Sequence, residues 1–214
     1  MTEPQEPVGI TRKPRRRWRQ ISLRTLLLLI TLFGVGLGWF VNRGERQRRA
    51  VAALKEIGGI ILYYDSRLPS ARKFLELSRW LPRDYFDDVG AVILSDRNVT
   101  DADMVHLKVF TRLQRLELND TQVTDGGLAH IEELNQIRSL FLADTQVTDA
   151  GLAQIQEMNR LRWLTLDRTQ VSDAGLPQLK GLTCLRVLTL YEAQVTDAGA
   201  AMLQSRLPNC RIEN

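Results

Sequence analysis

The hexapeptide Val147-Thr148-Asp149-Ala150-Gly151-Leu152, VTDAGL, decides the fold because the chain writes it again at a constant interval. The same slot reads VTDADM from Val99, VTDGGL from Val123, VSDAGL from Val171 and VTDAGA from Val195, each starting 24 residues after the one before. Self-similarity at this period marks a stack of like supersecondary units, a solenoid. Upstream of each hexapeptide a short run closes on Leu94, Leu118, Leu142, Leu166 or Leu190, as in LQRLEL over 113–118 and LRWLTL over 161–166. Apolar residues alternate through these runs at strand period. They then switch to helical spacing in Leu128, Ile131 and Leu134, or Leu152, Ile155 and Met158. Each unit therefore reads as one strand followed by one helix.

The hexapeptide sits at the changeover, and its letters have physical roles. The valine points into the core. Thr100, Thr124, Thr148, Ser172 and Thr196 stand where a hydroxyl caps the first helical turn. Asp101, Asp125, Asp149, Asp173 and Asp197 either set a carboxylate at the positive end of the helix dipole or serve as caps themselves. Glycine inside a first turn is costly relative to alanine, so its recurrence at Gly127, Gly151, Gly175 and Gly199 points to close approach between neighbouring units.

Five in-register copies of LxxLxL followed by xxTxVTDAGLxxL resemble the leucine-rich repeats over residues 89–214. The basic tail with SLRTLLLLITL, the AVAALKEIGG segment and the VTDAGL units together are similar to bacterial leucine-rich repeat proteins carried on one N-terminal membrane helix. That resemblance implies an α/β fold: a right-handed solenoid with a concave parallel sheet and outer helices. One departure is the column usually filled by asparagine, here Thr121, Thr145 and Thr169 with Arg97 and Ala193 at its ends. The hydroxyls are expected to bond between turns, and the adjacent column Asn98, Gln122, Gln146, Gln170 and Gln194 to add amide bonds along the stack.

Charge is unevenly distributed. Residues 1–49 carry 11 Lys or Arg against 3 acids, and the other 165 carry 18 against 22, so the basic character belongs to the N-terminus. A basic cluster from Arg12 to Arg19 would suit a nucleic-acid arm, but the uncharged stretch 25–41, TLLLLITLFGVGLGWFV, argues for one membrane-spanning helix and no nucleic-acid partner. Ile21 to Leu23 extend it if Arg24 snorkels, and Trp39 suits the opposite interface. A buried core helix and a signal peptide cleaved near Gly36-Leu37-Gly38 are the alternatives. Seven basic residues precede the span and five follow it, which favours a cytoplasmic N-terminus in the inner membrane and repeats outside. The second flank, Arg43, Arg46, Arg48 and Arg49, equally suits anionic lipid. The expected domains are a disordered tail, 1–24; the span, 25–41; a juxtamembrane helix and solenoid cap, 42–88; and five repeat units with a last strand, 89–214. Within the cap, Glu45 to Ile57 reads as a helix and Ile60 to Tyr64 as a strand, followed by Leu68-Pro69 and a helical piece from Phe74 to Leu81.

On a solenoid, function lies in side chains projecting from the sheet between the core leucines. Three columns result: Ala91, Arg115, Ser139, Trp163, Val187 and Arg211; Ile93, Glu117, Phe141, Thr165, Thr189 and Glu213; and Ser95, Asn119, Ala143, Asp167 and Tyr191. Arg115, Glu117, Asn119, Phe141, Trp163, Asp167, Val187 and Tyr191 are the expected partner-binding set, with Phe141, Trp163 and Tyr191 as an aromatic patch beside an acidic edge of Asp96, Asp120 and Asp144. The aspartates have a second reading as turn formers. Catalysis is not indicated: the chain carries no glycine-rich phosphate loop, HExxH or GxSxG. His106 and His130 stack one unit apart without further ligands at metal spacing, and no cofactor is implied. Cys184 and Cys210 read as free packed thiols, a disulfide being the alternative. The function expected is protein–protein interaction by a membrane-anchored module with an unknown partner. The alternative is a structural envelope protein self-associating through its end strand.

Overall fold

The structure is a computed structural model that describes residues 23–63 and 88–214. The cluster from Arg12 to Arg19, Tyr64, Leu68-Pro69 and the piece from Phe74 to Leu81 lie outside the described residues. The chain divides into two compact units, Met1–Trp39 and Phe40–Asn214.

In the first unit the described residues form the start of α1, Leu23–Glu56, and their apolar side chains are exposed from Leu26 to Trp39. This helix is long and apolar enough to cross a membrane, and its most apolar 18-residue window is not buried against the described residues. Instead of a separate helix opening at Glu45, α1 runs unbroken to Glu56. No glycine pair or proline interrupts it before Gly58 and Gly59.

In the second unit the end of α1 presents Ala50, Val51 and Leu54 to the core, and Ile57 packs half-buried against it. Gly59 N–H then closes on the Leu54 carbonyl at 2.8 Å, turning the chain into β1, Ile60–Tyr63. Six further strands follow: β2 (Val89–Ile93), β3 (Arg115–Glu117), β4 (Ser139–Phe141), β5 (Trp163–Thr165), β6 (Val187–Thr189) and β7 (Arg211–Glu213). They form one sheet in chain order, with β1 antiparallel to β2 and every later pair parallel. Leu116, Leu140, Leu164 and Leu188 stand opposite one another in register and are all buried. Each such leucine contributes roughly 1.5–3 kcal/mol by leaving water.

Opposite the sheet the returning segments are shorter and more varied than one helix per unit. They are α2 (Asp101–Met104) with a 3-10 turn over Val105–Val109, α3 (Asp125–Leu128), α4 (Asp149–Ile155), a 3-10 turn over Leu176–Gly181, and α5 (Asp197–Arg206). In the fourth unit Pro177 removes an N–H donor, and that unit makes a 3-10 turn in place of an α-helix.

The hexapeptide joins one unit to the next. Asp125 accepts two hydrogen bonds from Thr148 of the following unit, the backbone N–H on Oδ1 at 2.8 Å and the hydroxyl on Oδ2 at 2.7 Å. Asp101 holds Thr124 in the same way, Asp149 holds Ser172, and Asp173 holds Thr196. The receiving hydroxyls also accept an N–H at the start of their own turn, as Thr148 does from Ala150 at 3.2 Å. Charge-assisted pairs of this kind are roughly twice as strong as neutral ones. Accepting from Thr196 also holds the Asp173 carboxyl below its usual range.

The glycine column serves that ladder. A Cβ on Gly151 would fall 2.3 Å from Oδ1 of Asp125, on Gly175 2.2 Å from Oδ1 of Asp149, and on Gly199 2.0 Å from Oδ1 of Asp173. The close approach is thus to the preceding unit's carboxylate. Two expected ladders differ. Thr121, Thr145 and Thr169 are buried, but their hydroxyls donate to the carbonyls of Leu118, Leu142 and Leu166 within their own units. The amide column contributes main chain: the N–H groups of Gln122, Gln146, Gln170 and Gln194 donate to Val99, Val123, Val147 and Val171, while the side chains are exposed.

Gly151→Ala is expected to destabilise the solenoid by about 1–3 kcal/mol, the range for overpacking, whereas Gly181→Ala, whose Cβ would meet nothing closer than 3.8 Å, is expected to change stability by less than about 0.5 kcal/mol. Urea unfolding of the two variants checks the difference.

Candidate functional site

The strands β3 to β7 are three residues long, so each offers two outward positions around one inward residue, a buried leucine in β3 to β6 and the half-buried Ile212 in β7. A further outward residue follows each strand. Register aligns Arg115, Ser139, Trp163, Val187 and Arg211 in one row, and Glu117, Phe141, Thr165, Thr189 and Glu213 in the next. Trp163 is 50% exposed and Tyr191 45%, while Phe141, Val187 and Glu117 are half-buried. Ser139 departs from its expected exposure: it stands between Arg115 and Trp163 in the row and is buried.

The three aromatics occupy different rows on consecutive units. Phe141 faces Thr165 across the sheet, Trp163 lies one row away, and Tyr191 lies beyond the end of β6. They form a diagonal with distinct local chemistry. The Arg115 guanidinium sits 4.8 Å from the Phe141 ring centroid and pairs with Glu117 at 2.5 Å. At the other end the Tyr191 hydroxyl donates to Glu213 at 2.9 Å, and Glu213 pairs with Arg211 at 2.5 Å. Donating to Glu213 raises the Tyr191 pKa, because ionising the phenol would destroy that bond and set two negative charges together. Thr189 Oγ1, between the two clusters, is shielded and has no hydrogen-bond partner among the described residues.

Two residues of the expected binding set also hold the frame. Asn119 Oδ1 accepts the Ala143 N–H at 2.9 Å, and Asp167 Oδ1 accepts the Tyr191 N–H at 3.0 Å. Sequence spacing gave no sign of this; an amide or carboxylate just past a short strand, one period before a free N–H, is the signal that finds it. The acidic edge has the same double character. Asp96, Asp120 and Asp144 have φ of 57°, 55° and 55°, left-handed values that Arg168 and Glu192 share in the next two units. Aspartate tolerates this conformation better than most side chains, which accounts for its recurrence. Asp144 is also neutralised by a two-point pair with Arg168, whose Nε lies 2.6 Å from Oδ1. That pair holds the Asp144 carboxyl low and the Arg168 guanidinium high.

Elsewhere the side chains offer little chemistry. No cluster of His, Cys, Asp or Glu able to hold a metal occurs among the described residues. His106 and His130 are both half-buried. The cysteines are unpaired, Cys184 exposed rather than packed and Cys210 buried, its thiol pushed up to about 11 by burial.

No protein-family model and no curated protein matches the sequence. Among solved structures, internalin C2 from Listeria monocytogenes shares 24% identity over 58% of this chain and 61% of its own, with a TM-score of 0.44. Internalin F of the same bacterium shares 19% over 58% of this chain and 40% of its own, with a TM-score of 0.41. The chain therefore spans less than two thirds of each of these internalin structures. The leucine-rich repeat ectodomain of the receptor kinase SOBIR1 from Arabidopsis thaliana matches with a TM-score of 0.50 at 14% identity, over 79% of this chain and 91% of its own. The fold is that of a leucine-rich repeat solenoid, preceded by one helix long and apolar enough to span a membrane.

Glu213→Gln is expected to lower the Tyr191 pKa toward the ordinary phenol value, because an amide acceptor carries no charge to oppose the phenolate. Ring-carbon NMR titration of the tyrosines measures it, and an unmoved Tyr191 would show that the Glu213 carboxylate does not govern that hydroxyl.

Proposed function

We propose that the chain is a membrane-anchored module that binds a protein partner through the concave face of its repeats, with Phe141, Trp163 and Tyr191 as principal contacts. The observation that carries the reading is the contrast between frame and face: the Asp ladder, the glycines and the leucines repeat from unit to unit, whereas the outward rows differ at nearly every strand. Conserving only the frame leaves the face free to encode a partner. Exposed Trp and Tyr beside Arg also match the residue types that dominate binding energy at interfaces. Arg115, Glu117, Asn119, Asp167 and Val187 supply the polar surround. Residues 25–41 form the integral anchor in the inner membrane, the repeats lie outside the cytoplasm, and no catalytic step is assigned. Residues 42–88 are the link and solenoid cap.

A second reading, self-association through β7, has its own observation: β7 has a strand on only one side, leaving the other edge of the sheet unpaired among the described residues.

Replacing Phe141, Trp163 and Tyr191 together by alanine is expected to abolish affinity capture of the partner by the full chain while leaving thermal unfolding within a few degrees of the parent. Retained capture removes these residues from the site. The same preparation is expected to stay in the membrane pellet after an alkaline carbonate wash; release would overturn the integral anchor.

A further inference from the structure

We infer that the edge of the sheet where the strands begin is a docking strip for an extended, carboxylate-rich peptide segment, gripped by Arg138, Arg162 and Arg186. The inference rests on the protein-binding reading and adds the chemistry of the partner.

Each of these arginines immediately precedes its strand, and each is separated from the next by one 24-residue period. Their main chains are locked together. The Arg138 carbonyl accepts the Arg162 N–H at 2.8 Å and the Trp163 N–H at 3.0 Å, and the Arg162 carbonyl accepts from Arg186 at 2.8 Å and Val187 at 3.0 Å. Three guanidinium stems therefore start from a rigid row about 4.8 Å apart, the spacing of adjacent strands. All three side chains are exposed, and among the described residues none of them makes a hydrogen bond, ion pair or ring contact. Their neighbours behave differently: Arg112 pairs with Asp88, Arg115 with Glu117, Arg168 with Asp144 and Arg211 with Glu213.

Three like charges held side by side repel one another, and an anion laid along them relieves that repulsion. The surroundings limit its width. Residues 89–214 hold 12 basic against 16 acidic side chains, so the repeat domain is net negative. The opposite edge of the sheet carries four acids, Asp96, Asp120, Asp144 and Glu192, against one arginine in the same row, Arg168. A nucleic-acid duplex or an anionic lipid surface broad enough to reach both edges meets those acids, whereas a single extended chain can keep to the basic row. Carboxylates suit the fork of the guanidinium, and alternate side chains of an extended peptide recur about every 6.7 Å on one face. Trp163 follows Arg162 directly and is 50% exposed, which places an apolar contact beside the charged row.

The test uses the full chain in zwitterionic nanodiscs and a fluorescein-labelled oligoglutamate of about ten residues, roughly 33 Å when extended. Fluorescence anisotropy is expected to show binding that weakens with salt. Combined Arg138→Gln, Arg162→Gln and Arg186→Gln is expected to reduce affinity about thirtyfold or more. Combined Arg97→Gln, Lys108→Gln and Lys180→Gln, the same change of net charge elsewhere, is expected to leave it within about twofold. Thermal unfolding verifies that each variant is folded, and Arg162→Gln alone, expected to lose about threefold, serves if the triple variant is not. Equal losses in both triple variants, no loss in either, or tighter binding of polyglucuronate or duplex DNA than of oligoglutamate would overturn the proposal. Phe141→Ala with Tyr191→Ala separates the two readings. It is expected to keep oligoglutamate binding, so loss of partner capture in it speaks to the concave face alone. Failure of oligoglutamate binding with intact capture speaks to the strip alone.

Discussion

A carboxylate from one unit, clamped by the N–H and the hydroxyl of the next, is the interaction on which the rest of the molecule depends. Three-residue strands contribute few ladder bonds of their own, and returning segments as short as four residues do not hold together as isolated helices. The Asp clamp supplies what both lack, a directional link that sets each turn at one distance and rotation from its neighbour. Its geometry also dictates composition. The aspartate must be short enough to reach across, the receiver must carry both an N–H and a hydroxyl, and the third position downstream of that receiver must have no side chain. Three letters of the hexapeptide follow from one contact.

This constraint explains which parts of the structure were legible from sequence. Strand positions and buried leucines could be read because LxL alternates at the strand period and Leu128, Ile131 and Leu134 do not. The five-unit frame was visible because the hexapeptide repeats without a gap. Partnership between units was harder to see, since a residue 23 positions away is nowhere near in sequence. Asp125 therefore read as a dipole or cap residue of its own turn, and Thr145 as an inter-turn donor, although its hydroxyl turns back to Leu142. Ser139 read as exposed because column assignment sees the backbone direction and not the bulk of Arg115 and Trp163 on either side. In the fourth unit one proline accompanies a 3-10 turn where the apolar spacing alone called for a helix.

Face and frame are less separate than the repeat pattern suggests. Asn119 and Asp167 point from the sheet yet accept a neighbour's N–H, and Asp144 gives its charge to Arg168. Arg115 shields the ring of Phe141, and Tyr191 is oriented by Glu213. Much of the polar surround is therefore ordered before any partner arrives, which lowers the entropy lost on binding. The unengaged arginines along the strand-start edge stand out against that background.

The Asp clamp is the same at every joint, so any unit's aspartate fits any unit's threonine or serine. Excising one whole 24-residue block would bring Asp101 to Thr148 with every contact of the joint preserved. Unequal crossing-over between the repeats of such a gene would thus yield shorter or longer arrays that still fold. Each event would leave the scaffold intact and move all downstream outward residues one strand along the sheet, so that the outward face could be reshuffled by recombination rather than by point mutation.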